Sequence, residues 1–375
     1  SPVVSPAPRP AAPELDVVGG DLVDLGAMAP VHALTSDLVF SDAVSTDTAY
    51  LWVRGELRAY DTARGSLRWN KPSDDCWSMV ASRSGVFCSS EHGARWYRSA
   101  DGDAKPAGAA TAVSAIVALG GRVLVVHSDK KLEALDDRGA VVGTTLAPVI
   151  PDSGYRRTAL EIGGTLACGA QRSDAATTVF CTDATPRIVW SRRLPVAGGL
   201  LRQVDADVMV VTSDSWTNAA SSEVLRTSDG ATLLHSSSRL AAALATGGVF
   251  DGALSSEPTV TLFDAKGTPR WSWTGALPHA EALRAVRSGP NIVLARYNPI
   301  ATGAQLVALD EATGTPAWQG DVDSLMIGHS KYSNAVELQA RGNVVLLRGH
   351  ESGQDYAQTF DPATGKRLAS ILRRR

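Results

Sequence analysis

Apolar and polar residues alternate in short runs along almost the whole chain, and the runs end at turn-forming residues. Clear examples are 114–127, SAIVALGGRVLVVH, and 335–349, AVELQARGNVVLLRG, in which two runs flank a glycine-containing turn. Alternation with a period of two is typical of β-strands, and a glycine between two runs is typical of a β-hairpin. No window of helix length has the apolar spacing of an amphipathic helix. The pattern therefore predicts an all-β fold built from hairpins.

A phrase recurs along the chain and is clearest at 308–318, ALDEATGTPAW. Close copies are AYDTARGSLRW at 59–69 and LFDAKGTPRW at 262–271. Five degraded copies bring the total to eight, with a period of about 43 residues, which falls in the range of propeller repeats. Each phrase forms one hairpin and follows two further strand-like runs, so we expect four strands, A to D, in each repeat. The sequence predicts an eight-bladed β-propeller of four-stranded antiparallel blades.

The phrase A-x-D-x-x-T-G-x-x-x-W resembles the repeat of the PQQ-like (quinoprotein-type) β-propellers, and the resemblance extends over roughly residues 36–372. That family includes quinoprotein alcohol dehydrogenases, the propeller lipoprotein of the outer-membrane assembly machinery, and sensor domains of bacterial kinases. The resemblance implies the fold and leaves the function open, because one fold hosts many functions. In such propellers the tryptophan of the phrase docks between neighbouring blades, which implies that role for Trp69, Trp190, Trp271 and Trp318.

Composition favours one large domain preceded by a linker. The chain has 44% hydrophobic and 20% charged residues, so it can bury a core. Residues 1–16 are rich in proline and alanine and are expected to form a semi-rigid linker, and 17–375 a single propeller domain. Because the chain begins with serine, we expect that a signal peptide, a lipidated cysteine or a membrane anchor has been removed; an artificial boundary is the alternative.

The charge pattern argues against nucleic acid as a partner. The formal net charge is −3, the basic residues are scattered, and the basic run at the end of the chain is short. No run of 18 apolar residues is present, so the printed sequence predicts no membrane-spanning segment. We expect contact with a membrane only through a removed N-terminal tether.

The four cysteines fall into two local pairs. The pattern places Cys76 and Cys88 on the A and B strands of the second repeat, and Cys168 and Cys181 on the B and C strands of the fourth. Cysteines mirrored about a turn can reach the Cα separation of about 5.5 Å that a disulfide needs. We therefore expect the disulfides Cys76–Cys88 and Cys168–Cys181 and an oxidising compartment, with buried reduced thiols as the alternative.

The sequence offers no support for catalysis or for a cofactor. A quinoprotein dehydrogenase would hold its cofactor with vicinal cysteines, and no two cysteines are adjacent. No metal-ligand spacing and no nucleophile elbow is present, so we expect no catalytic residues, no metal site and no cofactor. The recurring aspartates stand at the C–D turns, where we expect them to accept backbone hydrogen bonds; they are Asp61, Asp136, Asp183, Asp264, Asp310 and Asp361.

Loop length supplies the functional hypothesis. The A–B and C–D turns are short, and the long segments are all B–C or D–A connections, which lie together on the opposite face of a propeller. These segments carry residue types that anchor protein interfaces. The expected binding residues are Tyr155, Arg156, Arg157, Trp216, Tyr297, His329, Tyr332, His350 and Tyr356. The alternative is that insertions accumulate on this face because they do no harm there.

From these observations we expect a non-enzymatic, exported or membrane-tethered propeller, periplasmic or extracellular, that acts as an interaction scaffold in the cell envelope. Its partner would be another envelope or membrane protein. An extracellular sensor domain of a receptor-type kinase and a PQQ-dependent dehydrogenase with a divergent site are the alternatives.

Overall fold

A computed structural model describes the chain in a set of ranges separated by short gaps. The described residues are 43–45, 47–53, 55–61, 66–73, 76, 78–151, 160–204, 208–213, 221–236, 240–244, 247–251, 259–264, 268–275, 281–298, 303–322, 336–341, 344–351 and 354–374. The linker predicted at 1–16 lies outside them.

The described chain consists of β-strands joined by turns and loops. In the first half the strands are β1 Ala43–Val44, β2 Thr48–Val53, β3 Glu56–Asp61, β4 Leu67–Pro72, β5 Ser78–Ala81, β6 Gly85–Ser90, β7 Gly93–Arg98, β8 Ala104–Ala107, β9 Val113–Leu119, β10 Arg122–His127, β11 Lys131–Leu135, β12 Val141–Leu146, β13 Leu160–Gly163, β14 Leu166–Arg172, β15 Thr177–Thr182 and β16 Ile188–Leu194. In the second half they are β17 Gly199–Val204, β18 Val208–Ser213, β19 Ser222–Arg226, β20 Thr232–Ser236, β21 Leu240–Leu244, β22 Gly247–Asp251, β23 Thr259–Phe263, β24 Pro269–Thr274, β25 Glu281–Ser288, β26 Asn291–Asn298, β27 Gly303–Asp310, β28 Pro316–Asp321, β29 Val336–Arg341, β30 Val344–Glu351, β31 Gln354–Phe360 and β32 Arg367–Arg374.

These strands pair into sheets that follow one another along the chain. Over the described ranges there are eight antiparallel sheets of four strands, each made of consecutive strands, from β1–β4 to β29–β32. We number them sheets 1 to 8. The first strand of each sheet packs against the first strand of the next, from sheet 1 through sheet 8, so these strands line the centre and the fourth strands form the rim. The predicted all-β propeller is confirmed.

The cores lie between successive sheets, because residues alternate between the two faces of each strand. In β27, Leu306 and Ala308 pack with residues of sheet 8, whereas Val307 and Leu309 pack with residues of sheet 6. Both faces of this inner strand are therefore apolar.

The tryptophans predicted to dock do contact the next sheet, at a glycine of its C–D turn. Trp190 on β16 lies against Gly230 between β19 and β20, and its indole N–H donates to the carbonyl of Thr227 at 2.8 Å. In every case the acceptor stands three residues before the glycine. The other three combinations are Trp69 with Gly102 and Ser99, Trp271 with Gly314 and Glu311, and Trp318 with Gly365 and Pro362.

The glycine is required at these turns for two reasons. Gly230 has φ +69°, a left-handed conformation that glycine adopts without strain. A Cβ atom at this position would also lie 2.7 Å from Cε3 of Trp190, so the indole occupies the space that a side chain would need.

Two junctions between sheets replace the tryptophan with small residues. Between sheets 2 and 3, Ala107 lies against Gly139. Between sheets 3 and 4 the sizes are reversed, because Gly143 occupies the tryptophan position and Pro186 stands in the turn that faces it. A Cβ atom at Gly143 would lie 3.0 Å from Cδ of Pro186. The smaller residue at one position compensates for the larger residue at the other.

The structure contains both expected disulfides. Cys168 on β14 and Cys181 on β15 are direct cross-strand neighbours with a Cα separation of 4.1 Å, as the sequence predicted. Cys76 and Cys88 are also joined, with a Cα separation of 5.3 Å. The prediction that Cys76 lies on the first strand of its sheet is wrong, because β5 begins at Ser78. The residue of β5 that pairs with Cys88 is Met79. Each bridge lies in the core between two sheets.

Most of the recurring aspartates cap the C–D turns as expected. Asp310 Oδ1 accepts the backbone N–H groups of Ala312 and Thr313 and the hydroxyl of Thr313. Asp136, Asp183, Asp264 and Asp361 likewise accept backbone N–H groups of their own turns. The carboxylate of Asp61 pairs with Arg68 at 2.9 Å, and residues 62–65 of its turn lie outside the described residues.

Candidate interaction face

The connections differ in length between the two ends of the sheets. The B–C and D–A connections share one end, which we call the loop face, and the A–B and C–D turns share the other, the turn face. Long connections on the loop face are 147–159, 214–221 and 322–335. On the turn face, A–B turns are as short as two residues, at 120–121, 164–165 and 289–290. The predicted asymmetry is therefore present.

Most of the predicted binding residues belong to these long connections. Tyr155, Arg156 and Arg157 fall in 147–159, and Trp216 falls in 214–221. His329 and Tyr332 fall in 322–335. All six lie outside the described residues, so their role as binding residues stays a prediction.

The other three predicted residues are placed by the strands rather than by loops, which corrects the sequence interpretation. Tyr297 lies within β26, His350 within β30 and Tyr356 within β31. The connections at 299–302 and 352–353 are consequently short, and the one at 173–176 is shorter than predicted. The strands extend because antiparallel pairing continues beyond the predicted strand ends, as in the pairs Tyr297–Ala304 and Gly349–Tyr356.

A buried polar cluster, not anticipated from the sequence, joins sheets 2 and 3 at the loop face. His127, at the end of β10, and Glu133 on β11 are both almost fully buried, with side-chain exposures of 0% and 1%. His127 Nε2 lies 3.1 Å from Glu133 Oε2, and its Nδ1 lies 3.0 Å from the hydroxyl of Thr111. Glu133 Oε2 also accepts the backbone N–H of Ala109, in the connection from sheet 2, at 2.9 Å. Glu133 therefore attaches the connection between sheets 2 and 3 to sheet 3 through this hydrogen bond.

The ionised form of Glu133 is stabilised by these neighbours. Burial by itself opposes ionisation of the carboxyl. The hydrogen bonds from Lys131, the Ala109 amide and His127 outweigh burial and lower the pKa of Glu133. Lys131 Nζ lies 2.5 Å from Glu133 Oε1 and is partly exposed, so it links the buried carboxylate to solvent. Removing one of these partners would leave a buried charge without compensation.

The same repeat position in sheet 5 carries a second buried carboxylate. Glu223 on β19 is 5% exposed and corresponds to Glu133 by its pairing, because Glu133 is opposite Thr144, one residue after Gly143, and Glu223 is opposite His235, one residue after Leu234. Its Oε1 lies 2.9 Å from Nδ1 of the exposed His235, and its Oε2 is buried without a hydrogen-bond partner. The sequence signal for both carboxylates is a glutamate within an apolar strand, in KLEAL and SEVLR.

Neither a cluster of metal ligands nor a membrane-spanning helix is found in the described part of the chain. Across these ranges, no group of three or more His, Cys, Asp and Glu side chains could hold a metal ion. The described part of the chain contains no helix that is long and apolar enough to cross a membrane.

Comparison with known structures shows the propeller fold. The structure of dihydro-heme d1 dehydrogenase NirN in complex with DHE matches at 15% identity over 89% of this chain and 74% of that chain, with a TM-score of 0.51. A eukaryotic initiation factor matches at 8% identity over 88% of this chain and 87% of that chain, with a TM-score of 0.54. BamB from Moraxella catarrhalis matches at 15% identity over 88% and 92% of the two chains, with a TM-score of 0.48.

Sequence comparison identifies the repeat. No curated protein sequence matches the chain significantly. The family model described as Outer membrane protein assembly factor BamB matches residues 256–374, which hold the repeats around Trp271 and Trp318. The resemblance to the PQQ-like β-propellers, inferred above from the recurring phrase, is confirmed by this match, and residues 256–374 carry the repeat of that family.

Proposed function

We propose that this chain is a non-enzymatic, exported or membrane-tethered β-propeller that binds another protein of the cell envelope through its loop face. The match of residues 256–374 to a family of outer-membrane assembly factors supports an envelope role. Two disulfides support export, because disulfides persist in oxidising compartments.

The observation that carries the proposal is the difference between the two faces. Connections of eight or more residues are found on the loop face, at 147–159, 214–221 and 322–335. They emerge from sheets that pack against one another, several of them through tryptophan–glycine contacts, so they have a rigid support. Their tyrosine, tryptophan and arginine residues are the types that dominate binding energy at protein interfaces.

A pull-down from native membranes tests the loop face directly. Replacing Tyr155, Trp216 and Tyr332 together by alanine should leave the melting temperature unchanged and strongly reduce recovery of the partner. Each interface aromatic that is lost typically costs about 2 kcal/mol or more in binding. The same pull-down with Arg138→Glu and Lys366→Glu, two exposed residues on the turn face, should recover the partner at the wild-type level. Loss of the partner in the turn-face variant alone would contradict the proposal.

Two alternatives are tested with the same purified protein. If the chain is the sensor domain of a receptor-type kinase, the pull-down should recover a kinase or its ligand in place of an assembly protein. A dehydrogenase is the second alternative, because NirN, one of the similar structures, is named as a dehydrogenase, although its likeness shows the fold alone. Adding PQQ and Ca²⁺ and recording the absorption spectrum and turnover separates these cases, because cofactor binding with turnover would contradict a non-enzymatic role.

We also propose that the eight sheets close into one ring, with sheet 8 beside sheet 1. Closure would remove two exposed sheet edges that could otherwise aggregate. Spin labels on cysteines introduced at Leu67 on β4 and Leu368 on β32 report the distance across the closure. Labels at Val141 and Val189, on the rims of the adjacent sheets 3 and 4, give the reference distance. Similar distances for the two pairs are expected, and a much longer one for Leu67–Leu368 would contradict closure.

A further inference from the structure

The rim strand of sheet 3, β12, differs from the other rim strands in composition. Seven of the eight described rim strands carry a proline or an ionisable side chain, as in Arg192 and Arg193 of β16. Strand β12, VVGTTL, carries neither. Charged residues and prolines on edge strands prevent pairing with other chains, so β12 lacks a protection that the other rim strands have. A bulge near Val142 does not distinguish it, because the corresponding hairpins of six of the other sheets also show a register shift.

The free hydrogen-bonding groups of β12 can be identified from its pairing with β11. Ala147, directly after the strand, donates its N–H to the carbonyl of Lys130 at 2.8 Å. Bonded and non-bonded positions alternate along an antiparallel pair, so Thr145 and Gly143 also bond to β11. Thr144 and Leu146 therefore direct their backbone N–H and C=O groups away from the sheet.

The side chains beside these free groups are exposed. Leu146 is 70% exposed and Val142 is 50% exposed, and Thr144 between them is exposed as well. Exposed β-branched and apolar residues along an unpaired strand edge favour the addition of another strand.

We propose that β12 pairs antiparallel with β12 of a second copy of this chain, about a two-fold axis at Thr144. The strand is self-complementary in this register. Thr144 would face Thr144 of the other copy, and Leu146 would face Val142. Polar residues would therefore pair with polar ones and apolar residues with apolar ones, and no charged side chain would lie in the contact. A two-fold contact uses the same patch on both copies, as this arrangement does. The two four-stranded sheets would form one continuous sheet across the dimer.

The contact is expected to be weak. One pair of short strands buries less surface than the roughly 1,200–2,000 Å² of stable interfaces, so the dimer should depend on protein concentration. The proposal is independent of the loop face, which lies at the ends of the strands.

Cysteine cross-linking tests the proposed register. In a bonded antiparallel pair the opposed Cα atoms are about 5.5 Å apart, a separation that suits a disulfide. Under mild oxidation, Thr144→Cys should give a dimer on a non-reducing gel that reductant dissolves. Val189→Cys, at an exposed position on the rim strand of sheet 4, is the matched control and should remain monomeric. The native cysteines do not interfere, since all four are in disulfides.

Sedimentation of the wild-type protein gives the second measurement. The weight-average mass should rise with concentration, and Leu146→Lys or Thr144→Pro should abolish the rise. The proline removes only an outward-facing N–H, so the pairing with β11 is kept. Equal cross-linking at Thr144 and Val189, a wild-type protein that is monomeric at all concentrations, or a dimer that both substitutions leave intact would each overturn the proposal.

Discussion

At the scale of single residues, the molecule is organised by one contact that recurs at four junctions between sheets. A tryptophan from the rim strand of one sheet covers a glycine in the C–D turn of the next and donates its N–H to a carbonyl three residues earlier. The contact combines aromatic burial with a satisfied indole N–H. The tryptophan and the glycine are about 40 residues apart in the chain, close to one repeat.

The contact predicts an unequal response to two similar substitutions. Gly230→Ala should destabilise the protein more than Gly121→Ala. Both glycines have positive φ, +69° and +74°, so alanine costs about 1–2 kcal/mol of backbone strain at either. Only at Gly230 does the new methyl group meet an indole, that of Trp190, whereas nothing lies within 4 Å of a Cβ atom at Gly121. Urea unfolding measures both costs, and in a Trp190→Ala background the difference between them should vanish.

The turn aspartates predict a pH dependence. The pKa of Asp310 is lowered by hydrogen bonds from the hydroxyl and then the backbone N–H of Thr313. A carboxylate with a lowered pKa stabilises the folded state at pH values above about 4, and this stability is lost as the pH falls through the folded pKa. Asp310→Asn should therefore destabilise the protein at pH 7, with a difference that shrinks below about pH 4. Urea unfolding at a series of pH values measures it, and a difference that stays constant would contradict the assignment.

At the scale of strands and hairpins, the sequence predicted the type of each element better than the length of each strand. Glycine turns and alternating residues predicted the hairpins, because both signals are local. The ends of strands at the loop face could not be predicted, since the pairing of Tyr297 or Tyr356 depends on the opposite strand rather than on the residue. For the same reason Cys76 forms its disulfide from a connection and not from a strand.

The disulfides also act at this scale, and they give a prediction. Intact mass should increase on reduction by the four hydrogen atoms that two disulfides take up. Peptide mapping should join Cys76 to Cys88 and Cys168 to Cys181. Removing either bridge with a pair of serine substitutions should cost about 2–4 kcal/mol in unfolding free energy. Free thiols in protein recovered from its native compartment would contradict the case for export.

At the scale of the whole molecule, the fold was predictable from the repeat, but the site was predictable only in outline. The recurring phrase and its glycine turns predicted an all-β propeller, and the short A–B and C–D turns distinguished the two faces. Glu133 and Glu223 were missed, because a single glutamate in an apolar strand has no recognisable partner in the sequence. The partners of Glu133 come from two sheets, and only the three-dimensional structure shows them together.

The cluster around Glu133 should stabilise a junction that lacks a tryptophan. Glu133→Ala would leave the buried His127 and the Ala109 amide without their acceptor, and breaking a buried pair typically costs about 3–5 kcal/mol. Glu223→Ala is the matched control and should cost less, because Glu223 accepts one bond from an exposed histidine. Hydrogen exchange should show faster opening of β8 and β9 in the Glu133 variant alone. Equal costs for the two substitutions would contradict this role.

The reversed sizes of Gly143 and Pro186 have a consequence for how such a chain can evolve. Each blade supplies one half of the contact with its predecessor and the other half of the contact with its successor. A sheet with the tryptophan on its rim strand can precede any sheet with the glycine in its C–D turn, so such units could be duplicated or exchanged. In sheet 4 the position of that glycine is occupied by Pro186. Sheet 4 therefore fits only a preceding sheet with a small residue at the tryptophan position, as sheet 3 has in Gly143. The residue sizes at positions 143 and 186 therefore fix the order of sheets 3 and 4. A rearrangement that separated these two sheets would require both residues to change together.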